Sequence, residues 1–137
     1  MSDRTLRSAL AAVAVAGVAV ASYLTYVHYH PAALVCRRGG GCETVQQSHY
    51  ALLLGVPVAL LGLIAWIVVL ALVAWDSELA RSLVAAIAVS ALGFAIYLVV
   101  LQLAVIHAVC VWCMVNDAAL APALAVLAGL RIVRSDD

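Results

Sequence analysis

Four apolar runs, each long enough to cross a bilayer, occupy residues 6–27, 56–75, 83–106 and 111–133 of this 137-residue chain. A hydrocarbon core of about 30 Å takes roughly 20 residues of helix to span. Inside it every backbone N–H and C=O must bond within the protein, which helices do and open strands do not. The runs therefore predict an all-α, integral-membrane four-helix bundle forming a single domain over residues 1–137. A long outer loop at 29–55 joins the first two spans. The composition agrees, with 68% hydrophobic and 10% charged residues against roughly 45–50% and 25% in soluble domains. Little chain remains for a soluble catalytic domain, and a formal net charge of zero gives no support to nucleic-acid binding.

The first run has some marks of a secretory signal: Arg4 and Arg7 come before its Ala/Val-rich stretch, and Ala19-Val20-Ala21 lies near its end. Its apolar stretch exceeds the roughly 7–15 residues of a signal sequence, so an uncleaved first helix is expected. The seven basic residues are all arginine. With the N-terminus inside, Arg4, Arg7, Arg81, Arg131 and Arg134 are cytoplasmic, and only Arg37 and Arg38 are outside. This satisfies the positive-inside rule and puts both termini in the cytoplasm. The same topology sends Cys36, Cys42, Cys110 and Cys113 to the extracytoplasmic side, where disulfides persist.

The short turn at residues 76–81 predicts antiparallel packing of spans two and three. Pro57 suits the first turn of span two, where its missing N–H costs nothing. Gly17, Gly55, Gly62 and Gly93 are expected at close helix contacts. In the outer loop, three glycines between Cys36 and Cys42 make a pliable segment able to close a small disulfide ring. Residues 43–54, with Gln46, Gln47, Ser48 and His49 followed by Tyr50 and three leucines, read as a short interfacial helix.

Cys110-Val111-Trp112-Cys113 is a C-x-x-C at a helix start. Residues three apart share a helix face, and the N-terminal amides and dipole favour a thiolate, the reactive form in thiol–disulfide exchange. Two dithiols meeting at a membrane surface fit an electron relay from thiols in water to a lipid-soluble acceptor. The alternatives are a non-catalytic scaffold braced by two structural disulfides, or a four-cysteine metal site of the zinc type.

Taken together, these residues resemble the vitamin K epoxide reductase (VKOR) family, in particular bacterial members without a fused thioredoxin domain. The resemblance rests on Cys36 and Cys42 after span one, Ser48 six residues on, the Tyr50…Gly55-Val56-Pro57…Gly62 approach to span two, and the C-x-x-C opening span four. It implies a membrane thiol–quinone oxidoreductase that supports disulfide formation in the bacterial cytoplasmic membrane. The electron acceptor would be a quinone, menaquinone or ubiquinone. The electron donor would be an extracytoplasmic thioredoxin-fold, DsbA-like partner. By the same resemblance, Cys36 exchanges with the partner, Cys42 passes electrons to Cys110, and Cys113 faces the quinone. Ser48 helps hold the loop cysteines near the site. Animal members carry a Tyr four residues after the second C-x-x-C cysteine and an Asn before span two. Here the first position is Asp117, and residues 52–57 contain no Asn.

Asn116 and Asp117 follow Cys113 by three and four residues, which puts them near its face one turn deeper. Ionisable groups at such depth usually face a bundle interior or cavity. They are candidates to bond a quinone carbonyl, or in the case of Asp117 to pass it a proton, against a plain interhelical role. His107 is close enough in sequence to influence Cys110, though an ordinary interfacial histidine is the simpler reading. His28 and His30 read with Tyr23 and Tyr26 as an interfacial belt. Gln102 reads as a helix–helix hydrogen bond.

Overall fold

A computed structural model of the chain describes residues 2–30, 32 and 42–136. Helix α1 (Asp3–Tyr29) starts at Ser2, whose hydroxyl accepts from the Thr5 amide at 3.2 Å. This meets one of the amide donors that a helix start leaves open. After the loop come α2 (Cys42–Gln47), a 3₁₀ turn (His49–Ala51) and the antiparallel strands β1 (Leu52–Leu53) and β2 (Val56–Pro57). Helix α3 (Val58–Trp75) forms the second span. Helix α4 (Glu78–Val100) continues as a π-helical turn, Leu101–Ile106, to complete the third. The fourth is α5 (Val111–Met114), a second π turn (Val115–Leu120) and α6 (Ala121–Asp136). Four of these stretches are long and apolar enough to cross a membrane, as the sequence predicts, and the chain is a multi-pass membrane protein.

Two local expectations are corrected. The segment expected to be helical over 43–54 is helical only to Gln47, then turns and pairs. Leu54 (φ 54°) and Gly55 (φ 83°) both take left-handed backbone, the two-residue turn whose twist suits a hairpin. Pro57 is not inside the first helical turn. It pairs with Leu52 and caps α3 from outside.

The helices form a ring in which α1 packs on α3, α3 on α4, α4 on α6, and α6 back on α1. The core runs through Leu10, Ala14, Trp66, Val69, Val84 and Leu124. Of the glycines expected at close contacts, Gly17 alone fits that role: a Cβ there would lie 2.2 Å from the Trp66 ring. Gly55 serves the hairpin turn, while Cβ atoms at Gly62 and Gly93 would meet nothing within 4 Å.

One end of the bundle is tied by charge. Asp76 ends α3 in left-handed backbone, and Ser77 caps α4 by accepting from the Ala80 amide at 3.0 Å. Arg131 of α6, 3% exposed, pairs with Asp3 of α1 at 3.0 Å and with Asp76. Arg81 joins Asp76 at 3.2 Å and Asp3 at 3.7 Å. Arg7 reaches Asp76 at 3.6 Å and donates to the Val73 and Ala74 carbonyls that end α3. The cysteines of the C-x-x-C lie at the opposite end.

Candidate functional site

Cys110 caps α5, and its Sγ accepts from the Cys113 amide at 3.3 Å. It is fully buried, packed with Leu24 of α1 and flanked by Val45 of α2 and Ala59 of α3. The turn before it is organised by Gln102. The Gln102 carbonyl accepts from the His107 and Ala108 amides, and its side-chain Oε1 accepts from the Cys110 amide at 2.9 Å. Gln102 thus bonds from the end of the third span to the start of the fourth, eight residues on. Packing of Tyr23 edge-on to Trp112, ring centroids 5.1 Å apart, holds the C-x-x-C against α1.

Below this turn, a cavity of about 500 Å³ runs between the spans, within the size range of small-molecule sites. Its walls are mostly apolar, with Trp66, Phe94, Leu98 and Leu124 among them. Its polar wall groups include Cys113, Ser48, Gln102, Asn116 and Asp117. Four of the residues singled out from the sequence, Ser48, Cys113, Asn116 and Asp117, therefore share one cavity. Ser48 also donates to the Val45 carbonyl at 2.7 Å, closing the end of α2. Cys110 sits behind this wall under α2. Cys36 lies outside the described residues. The backbone of Cys42 begins α2, and its side chain lies outside what is described.

Asn116 and Asp117 belong to a hydrogen-bonded chain that the sequence did not reveal. Trp66 Nε1 donates to Asn116 Oδ1 at 2.8 Å, and Asn116 Nδ2 donates to Asp117 Oδ1 at 3.0 Å. An indole can only donate, so it fixes which way the Asn116 amide points. The Trp66 ring fits because Gly17 leaves no side chain beneath it. Both polar walls lie on π-helical turns, Gln102 on one and the Asn116–Asp117 pair on the other. Such turns are frequent at functional sites.

The histidines are placed apart from this cluster, with the exception of His28 on the cavity wall. His107 is exposed in left-handed backbone. His30 stacks on Tyr26 with ring centroids 4.5 Å apart, and His28 meets Tyr29 edge-on. Among the described residues, no three His, Cys, Asp or Glu side chains gather to hold a metal. Trp66 and Gln102 are the site residues that sequence reasoning missed. Gln102 gave a signal as a lone amide in an apolar run, whereas Trp66 gave none distinct from core packing.

Compared with known families, residues 8–128 match the model of the Vitamin K epoxide reductase family. That stretch begins within α1, ends within α6, and includes the four cysteines and every cavity residue named above.

Proposed function

The chain belongs to the vitamin K epoxide reductase family, whose members are membrane thiol–quinone oxidoreductases, and we propose that it oxidises an extracytoplasmic thioredoxin-fold, DsbA-like partner at the expense of membrane menaquinone or ubiquinone. One observation carries the reading. The C-x-x-C straddles a boundary, with Cys113 on the wall of an apolar cavity and Cys110 buried beneath the helix that begins at Cys42.

The cavity suits a quinone head group: its walls are mostly apolar, and Cys113 shares them with the polar side chains of Gln102, Asn116 and Asp117. A bound quinone supplies a two-electron, two-proton acceptor. The protein's own part is a pair of exchanges. The partner dithiol reduces the Cys36–Cys42 disulfide, and Cys42 passes the pair of electrons to Cys110–Cys113. Reoxidation of that dithiol releases two electrons and two protons at the cavity wall. Across the cycle one partner disulfide forms for each quinone reduced to quinol. Asn116 and Asp117, one turn below Cys113, form a polar corner for a quinone carbonyl, with Asp117 as the carboxyl that moves a proton there. Ser48 holds the end of α2, and through it the loop cysteines, over the C-x-x-C.

The charged end faces the cytoplasm. Arg4, Arg7, Arg81, Arg131 and Arg134 all lie at that end, which supports both termini inside and the cysteines outside. A bacterial cytoplasmic membrane is the matching location.

The test is quinone reduction by the purified protein with dithiothreitol as donor. Cys113→Ala is expected to abolish turnover, while Cys36→Ala retains part of it, because dithiothreitol can reach later cysteines directly. Wild-type protein that is folded yet reduces neither a menaquinone nor a ubiquinone analogue would remove the reading.

A further inference from the structure

Gln102 is 2% exposed and stands on the cavity wall. Its amide has a fixed sense. The Cys110 backbone N–H can only donate, so the atom 2.9 Å from it is the Gln102 oxygen. The two hydrogens of Nε2 therefore point away from the C-x-x-C turn. Among the described residues, no acceptor is placed against Nε2. No fully buried side-chain nitrogen or oxygen among the described residues lacks a partner, so Nε2 opens onto the cavity that Gln102 lines, and a donor facing that cavity indicates where its acceptor belongs.

We infer that Gln102 Nε2 donates a hydrogen bond to a carbonyl oxygen of the quinone head group, so that one side chain holds both the acceptor and the start of the C-x-x-C helix. This rests on the reading of the cavity as a quinone site. A quinone has two carbonyls, and the polar corner of Asn116 and Asp117 serves one of them. Asn116 Oδ1 is engaged by Trp66, and one Nδ2 hydrogen by Asp117. Gln102, on a different span, supplies a donor for the other. A fixed neutral donor strengthens its bond as negative charge develops on the oxygen it faces. The amide's two bonds also reinforce each other, because accepting at Oε1 polarises Nε2 as a donor.

The experiment uses the full-length protein in detergent with menadione labelled at its carbonyl carbons, read by infrared difference spectroscopy and by turnover with dithiothreitol. In the wild type, a bound carbonyl band is expected below its position in detergent alone. In Gln102→Met, which keeps the volume and removes the donor, that band returns toward the free position. The KM for menadione then rises about 5- to 30-fold, the effect of losing one such bond. An unshifted wild-type band overturns the inference, and this needs no variant to fold. A folded Gln102→Met that keeps both the shifted band and the wild-type KM also overturns it. Absence of wild-type turnover would instead refute the underlying function.

Discussion

Gly17→Ala tests the path from helix packing to the polar corner of the cavity. The added Cβ would lie 2.2, 2.3 and 2.7 Å from three carbons of the Trp66 ring. Carbon atoms rest at about 3.5–4.0 Å, so the indole must retreat by about 1.5 Å or α1 must part from α3. Either movement takes Trp66 Nε1 out of reach of Asn116 Oδ1, now 2.8 Å away. Overpacking of this kind costs about 1–3 kcal/mol, and the lost hydrogen bond about 1 kcal/mol. Replacing glycine by alanine in a helix returns about 1 kcal/mol, for a net loss of about 1–3 kcal/mol. Unfolding in detergent, followed by tryptophan fluorescence, measures it. Gly93→Ala is the control: its Cβ meets nothing within 4 Å, so the variant should equal or slightly exceed the wild type. Trp66→Leu in the Gly17→Ala background should recover part of the loss through a coupling of about 1 kcal/mol. If Gly17→Ala unfolds with Gly93→Ala, the close contact and the orientation of Asn116 derived from it are wrong.

The remaining predictions concern the two ends of the bundle. Burial pushes the Asp76 carboxyl upward, but the hydrogen bond from Arg81 and the charge and hydrogen bond of Arg131 outweigh it and hold it below its ordinary value of 3.8. A depressed value means that Asp76 stabilises the fold above pH 3.8, and that the contribution fades as pH falls through the lower folded-state value. Asp76→Asn should cost about 1–2 kcal/mol near neutrality, less than breaking an isolated buried pair, because Arg131 keeps Asp3. The gap to the wild type in detergent unfolding should close below pH 3.8; a gap that stays constant through that range contradicts the argument. At the other end, Asp117→Asn should slow quinone reduction by roughly 100-fold or more if it moves a proton, and should flatten the pH profile. Unchanged turnover with an unchanged profile would leave Asp117 only a packing role.

The four spans were legible in the sequence because run length in an apolar solvent depends on no partner. So was the gathering of Cys113, Asn116 and Asp117, because it follows from spacing within one helix. What escaped was set by contacts between distant segments. Nothing local distinguishes Gly17, which must stay bare for Trp66, from Gly93, which faces open space. The bond from Gln102 to Cys110 depends on a π turn and a left-handed His107 between them. Residues 52–57 scan as leucines leading into a helix, yet pair as a hairpin in which Leu54 joins Gly55 in left-handed backbone, a conformation that local preference favours for glycine and not for leucine.

The π turn at Val115–Leu120 acts as a phase adjuster along the last span. A π turn holds one residue more than the α turn it replaces, and each α-helical residue advances the helix by about 100° of rotation. Cys113 faces the cavity above this turn, and Arg131 meets Asp3 and Asp76 below it. Regularising the turn to α-helix with every residue kept would swing one end out of step by about 100°. Either the sulfur would leave the cavity or the guanidinium would leave its carboxylates. Redox chemistry at one membrane face and anchoring at the other are thus kept in register by a bulge that absorbs a single supernumerary residue.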